Sequence, residues 1–277
     1  MRKSVLIATV ALIAVPVFLF AAGKNKKGDS VVTRLEDLPF APGDDAKGFS
    51  GPAWFRNMIQ KENTYNAAET NLITFAPGSH SGYHTHGGMI VVVTGGKGYY
   101  AEKGKKAQII RKGDIIEIPE GMPHLHRAAN DSYFQQMVIY NKDYPVNSAG
   151  QVTDKEYKSL KKENFKGRTI KEGNAYMFQK ADKPYKSGLF NGDVFLTTLL
   201  TRDNAAGAPA MNFVLFPTGI YNSYHTHSGG QILIATDGIG YHQIEGESVQ
   251  VLHSGDVAFC PPGVKHWHGG SLAGDFA

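Results

Sequence analysis

The four residues Tyr83-His84-Thr85-His86 recur 141 positions later as Tyr224-His225-Thr226-His227. They do not recur alone. Phe49-Ser50-Gly51 returns as Phe190-Asn191-Gly192, and Asn71, Phe75 and Gly78 return as Asn212, Phe216 and Gly219, all at the same offset of 141. After a one-residue gap the offset becomes 142. Gly98-Tyr99 matches Gly240-Tyr241, Gly113-Asp114 matches Gly255-Asp256, and Gly121, His124 and His126 match Gly263, His266 and His268. Such a repeat limits the chain to an architecture built twice from one unit. The two copies run over about 47–140 and 186–277, joined by a linker at 141–185.

Within the first copy the pattern is of short strands. Thr70–Phe75, Met89–Val93, Lys97–Ala101, Gln108–Ile110, Ile115–Ile118 and Phe134–Tyr140 are β-branched or aromatic runs, several bounded by Gly, Pro or Asp. Their spacing suggests a sandwich or barrel. With 32 glycines, 30 Phe, Tyr and Trp side chains among them 13 Tyr, and few long helical patterns, the chain reads as all-β. In the linker, Thr153-Asp154-Lys155-Glu156 has the form of a capping box and predicts a short charged helix to about Lys162, serving as a solvated connector. The second copy ends early. Phe276 stands where Phe134 does, and the chain stops at Ala277, so no strand corresponds to Gln135–Tyr140. A truncated sequence is the expectation that follows, since a barrel short of a strand exposes an edge.

Ahead of the repeat, Met1-Arg2-Lys3 and the apolar run Val5–Ala22 read as a secretory signal peptide over 1–23, with Ala21 and Gly23 at the small positions before Lys24. The alternative is an uncleaved N-terminal anchor. Residues 24–46 are polar, hold Pro and Gly, and read as a tether. An exported, periplasmic or secreted protein is expected, with no stable membrane insertion if the signal is cleaved. Arg2, Lys3, Lys24, Lys26 and Lys27 supply the formal charge of +4, which becomes −1 without residues 1–27, so nothing points to nucleic acid. Cys260 is the only cysteine, which excludes an intrachain disulfide.

The repeated histidines carry the chemistry. His225 and His227, one residue apart on an extended segment, share a face. Gln231 follows after two glycines, and His266 arrives from a later strand. Three imidazoles and an amide oxygen converging on one point would bind a divalent transition metal. All four ligands are neutral, so the ion keeps its full charge as a Lewis acid. Four protein ligands leave one or two open positions on an octahedral ion, which suits Mn(II), Fe(II) or another divalent metal. His268 lies on the same face as His266 and suits proton transfer as a general base or acid, or an orienting hydrogen bond. In the first copy His84, His86 and His124 form a weaker set, with Met89 at the fourth position and His126 in the place of His268. Three readings stay open there: a three-histidine metal site, a metal-free structural core, or a distinct binding specificity. His80 is expected at the barrel mouth or surface, and His242 and His253 at the surface. Trp267 is expected to face outward, and Cys260 to be a buried small side chain.

The segments Gly78-(five residues)-His84-X-His86 and Gly113-(five)-Pro119-X-Gly121-(two)-His124, with their counterparts from Gly219 and Gly255, resemble the paired motifs of the cupin superfamily. Two copies resemble a bicupin. The resemblance implies two tandem double-stranded β-helix (jelly-roll) barrels, each with a metal site in its lumen. His225-Thr226-His227, Gly230-Gln231, Gly255-Asp256-Val257 and Lys265-His266-Trp267-His268-Gly269 are similar to the small cupins that act as manganese-dependent hydroxynitrile lyases. Both copies depart from the general pattern by carrying Ala128 and Gly270, not asparagine, four residues after the last ligand histidine.

The implied function is a metal-dependent enzyme acting on a small molecule, with lyase chemistry in the second barrel. The alternatives are an Fe(II) cupin dioxygenase and a non-catalytic metal-dependent small-molecule or sugar-binding bicupin. Barrel sheets of this kind also offer a homo-oligomer interface. Two tandem sites predict at most two metal ions per chain. Elemental analysis of protein purified without added metal checks this, and more than two equivalents overturns it.

Overall fold

A computed structural model describes residues 33–62, 68–140, 145–167, 170–171 and 174–277. The expected signal peptide lies outside the described residues, and among them no helix is long and apolar enough to cross a membrane. Strands dominate, and two tandem barrels follow the repeat.

The first barrel turns on a single long strand, Met89–Glu102, which replaces the two shorter strands expected over this stretch. Its first half pairs with Ile115–Ile118 and Phe134–Tyr140, and its second half with Ala107–Arg111 and His124–Ala128. One strand thus serves both sheets, which requires a sharp bend. The register shifts between Val93 and Gly95, and Gly96 follows with φ of 73°. A Cβ there would lie 1.9 Å from the Tyr133 carbonyl oxygen, so only glycine fits. Gly238 repeats the device, with φ of 76° and the Asp275 carbonyl 1.9 Å from the same imagined atom. Outward from Phe134–Tyr140 the order continues through Thr70–Phe75 and Ala53–Ile59 to Asp44–Asp45. On the other side His124–Ala128 leads to Tyr83–Thr85 and Asn147–Gly150.

The second barrel repeats the plan in separate pairs. Phe195–Leu200 pairs with Met211–Leu215, Gln231–Ile234 with Val257–Cys260, and Ile239–Ile244 with both Gln250–His253 and His266–Gly270. Phe276 bridges Phe216 as Phe134 bridges Phe75. The barrels share one apolar core. Leu72, Ile90, Met137 and Ile139 of the first meet Leu200, Phe213 and Leu215 of the second.

Two connecting segments are less passive than their composition suggests. Residues 33–46, expected as part of a tether, are packed: Phe40 is 1% exposed in the shared core, and Gln135 Nε2 donates to its carbonyl at 2.8 Å. The linker helix forms over Asp154–Ser159, with the capping box as expected, but it ends earlier than Lys162. It is docked and not a solvated connector. Tyr157 is buried, with its ring 4.4 Å beneath the Arg127 guanidinium, and Arg127 Nη1 donates to Asp154 Oδ1 at 2.7 Å. His80 completes the contact and corrects the surface assignment. It is 3% exposed, its ring is stacked on Tyr157, and its Nε2 lies 3.3 Å from Asp154 Oδ1. Buried Arg127 needs a counter-charge, and the helix delivers it.

Asp154→Ala therefore removes the carboxylate that faces a buried guanidinium. The expected loss is about 1–2 kcal/mol, since Asp154 itself is largely exposed. Urea denaturation checks this, and an unchanged midpoint would show that the helix is not held by this pair.

Candidate metal centres

The first cluster stands where Tyr83–Thr85 and His124–Ala128 pair, with His84 opposite His124. His84, His86 and His124 each bring one ring nitrogen within 4.8 Å of the others. The backbone sets their tautomers. His84 Nδ1 donates to the Gly82 carbonyl at 3.0 Å, His124 Nδ1 to the Met122 carbonyl at 2.8 Å, and His86 Nδ1 to the Gly87 carbonyl. A carbonyl oxygen only accepts, so the ring proton sits on Nδ1 in all three and Nε2 is a bare lone pair. His86 Nε2 and His124 Nε2 lie 3.1 Å apart. Two bare nitrogens so close repel unless a cation lies between them. The donor set therefore fits a divalent metal, and carbonyl-oriented imidazoles are the usual support of such ligands. Met89, 1% exposed, contributes a thioether, which is a weak ligand for hard divalent ions.

In the second cluster the three nitrogens within 4.8 Å of one another belong to His225, His266 and His268. His227 stands alongside, its ring 5.0 Å from that of His225 and 5.5 Å from that of His266, with Nε2 buried and without a partner. Gln231 Oε1 lies 2.8 Å from His266 Nε2. All the residues expected at this site are thus in one neighbourhood. The tautomers are less settled than in the first cluster. His225 Nδ1 donates to the Ser223 carbonyl at 2.9 Å, repeating the His84 clamp. His266 Nδ1 is 3.4 Å from the Val264 carbonyl but 2.7 Å from Cys260 Sγ, while its Nε2 faces the amide oxygen. Oε1 accepts, so here Nε2 carries the proton and Cys260 S–H donates to Nδ1. Metal binding through Nε2 requires that proton to leave Nε2. By ligand count the second site is the fuller, whereas by preset tautomer it is the first.

His268 has a partner that the motif spacing did not disclose. The His268 backbone N–H donates to Asn222 Oδ1 at 2.8 Å, which fixes the amide orientation, so Asn222 Nδ2 donates to His268 Nε2 at 3.0 Å. The ring proton of His268 is thereby placed on Nδ1. Ser81 stands in the corresponding place of the first barrel. Its hydroxyl reaches the His126 backbone N–H at 3.0 Å but not the ring, and both His126 ring nitrogens are buried without partners. The repeat offset was enough to align Asn222 with Ser81, but only the fold shows what the amide touches.

His242 is the other correction. It was expected at the surface, yet it is fully buried at the position of Tyr100, opposite His268 in the sheet, with its ring 5.6 Å from that of His266. His242 Nδ1 is 3.0 Å from Gln250 Oε1, and Nε2 has no partner. His253 is exposed as expected. Trp267 is half-buried, and its indole N–H donates to Gln243 Oε1 at 2.7 Å. Cys260 is buried, and burial raises its thiol pKa, which leaves it a poor nucleophile.

Residues 71–140 and 212–272 match the cupin domain family. The chain belongs to the cupin family. A bicupin of this kind is similar to a variant of Bacillus subtilis oxalate decarboxylase at 15% identity over 90% of this chain and 76% of that one, with a TM-score of 0.53. That likeness is of fold alone. A cupin-like protein from Thermotoga maritima is 35% identical over 44% of this chain and 96% of its own, at a TM-score of 0.42. An (R)-mandelonitrile lyase from Granulicella tundricola is 50% identical over 56 residues, which are 20% of this chain and 43% of that relative. The match therefore spans less than half the length of that lyase.

Burial dominates the titration of the clusters. Desolvation lowers the pKa of His84, His86, His227 and, to about 4, His266; it carries His124 down to about 3 and His126 and His268 well below their ordinary value. Neighbouring imidazoles add to it at His124, His126, His266 and His268. The folded pKa is below the unfolded one, so the unfolded chain takes up protons first as pH falls. Stability is full above about 6.5 and declines toward about pH 3. Metal-free protein taken from pH 7.5 to 5.5 is expected to lose about 1 kcal/mol for each wholly buried histidine, His126 and His268 foremost. Urea midpoints at the two pH values check this, and equal midpoints would show that these imidazoles are not held neutral.

Proposed function

We propose that the chain is a metal-dependent bicupin enzyme of lyase type, with His225, His227, Gln231 and His266 of the second barrel holding Mn(II), or else Fe(II), beside the proton-bearing His268. The observation that carries the reading is the Asn222–His268 pair, which sets one imidazole tautomer next to a cluster of neutral donors. The likeness to an (R)-mandelonitrile lyase supports the reaction class, and the Mn(II) centres of Bacillus subtilis oxalate decarboxylase support the metal. We further propose an exported protein whose partner is a small-molecule substrate.

A divalent ion bound there would supply Lewis acidity toward a substrate hydroxyl or carbonyl oxygen. The protein's own groups do the rest. Gln231 and the imidazoles keep the donor set neutral. Asn222 occupies His268 Nε2, so His268 offers an N–H from Nδ1 and not a resting lone pair. Of the roles open to it from the sequence, this tautomer allows the general acid and the hydrogen-bond donor, and not the resting general base. Such a donor stabilises negative charge as it develops on a departing group or on oxygen. Burial of His268, at 6% exposure, keeps water from competing for that bond.

With Mn(II) loaded, the protein is expected to release cyanide from (R)-mandelonitrile. His268→Ala should lower kcat about 100-fold, in the range of a lost proton-transfer group. Asn222→Ala should lower it about tenfold while metal content stays constant, as expected of an orienting partner. Gln231→Ala and His225→Ala should each reduce bound metal by elemental analysis. Oxygen consumption with a catechol or thiol and no cyanide release would turn the reading to the dioxygenase, and unchanged metal in both ligand variants would overturn the ligand set.

A further inference from the structure

The lumen of the first barrel holds a cavity of about 330 Å³. Its walls include Ile73, Phe75, Met89 and Val138, and its polar lining includes His84 and Gln136. Gln136 stands on the Phe134–Tyr140 strand between Ile73 and Val93, with its neighbours Gln135 and Met137 turned to the opposite face. It is 0% exposed, and neither its amide nitrogen nor its amide oxygen has a hydrogen-bond partner. Gln135 beside it is fully engaged, with Thr74, Thr94 and the Phe40 carbonyl. His126, also lining the cavity, has both ring nitrogens buried and unpartnered. Leaving an amide unpaired in an apolar wall costs free energy that a leucine would not, and such groups are rare in folded proteins.

We propose that Gln136 is the recognition residue of a ligand site in the first barrel, taking a small neutral molecule that has an apolar body and one edge that both donates and accepts, as a primary amide does. The complementary edge satisfies both amide atoms of Gln136 at once. The terminal torsion of glutamine is soft, so the amide can turn to meet it. The volume lies at the small end of the range for ligand pockets. A carboxylate has lost the donating proton and would satisfy only the amide nitrogen of Gln136. This site stands apart from the catalytic reading of the second barrel and does not rest on it.

Benzamide and acetophenone are matched probes, since the second replaces the amide NH₂ with a methyl group. Isothermal titration of the full chain, with and without chelator, is expected to show benzamide binding that survives metal removal and is about tenfold tighter than acetophenone binding, the scale of one satisfied hydrogen bond in a buried site. Gln136→Leu is expected to lose that tenfold preference while raising the melting temperature, because the unpaired amide is gone. Equal affinity for the two probes in the unmodified protein overturns the proposal, as does no benzamide saturation, and neither outcome depends on a variant folding. A preference retained in Gln136→Leu overturns it as well.

Discussion

Burial keeps several imidazoles neutral in the desolvated lumen of each barrel, and the backbone sets their tautomers by accepting hydrogen bonds from Nδ1–H. The carbonyl two residues earlier accepts from His84, His124 and His225. That geometry follows from a histidine entering an extended strand just after a turn, so the clamp is local in sequence. Its consequence is not local. With Nδ1 occupied, Nε2 points away from the backbone as a bare donor, and in the first barrel three such donors meet. The fold's sharp bends at Gly96 and Gly238 bring those strands to one lumen.

The two barrels spend this arrangement differently. The first has three preset donors, a thioether in place of an amide, and a cavity whose wall carries an unpaired glutamine. The second has an amide at Gln231, an extra buried histidine at 242, and Asn222 fixing the ring of His268. The divergence sits in side chains that differ at repeat-equivalent positions: Met89 against Gln231, Tyr100 against His242, Ser81 against Asn222. The scaffold of glycines and aromatics is shared, which is why both copies fold alike while their lumens differ. The common apolar core between Leu72, Ile90 and Met137 on one side and Leu200, Phe213 and Leu215 on the other joins the two barrels.

Much of the site was legible because its residues repeat at motif spacing. His84, His86, His124, His225, His227 and His266 were expected as ligands in that way, and Gln231 from its place just after the second His-X-His. Residues outside the motifs were not. His80 and His242 looked like surface histidines because no nearby partner accompanied them. Their partners are Asp154 and Tyr157 in one case and Gln250 and the strand carrying His266 in the other, all distant in sequence or across a sheet. Phe40 lay in a polar stretch whose composition suggested a tether, and one buried aromatic with one accepting carbonyl was enough to hold it to the barrel.

The amino-acid sequence by itself determined the duplication, the all-β class, the cupin resemblance and the ligand types, because each depends on local pattern: alternation, turn glycines and the spacing of histidines along single strands. Tertiary structure decided which nitrogen of each imidazole is free, which polar groups are left without partners, and how the linker helix is held. Those depend on atoms brought together across strands, within hydrogen-bond distances of about 3 Å. A repeat offset can align Ser81 with Asn222, but it cannot say that only the longer side chain reaches a ring.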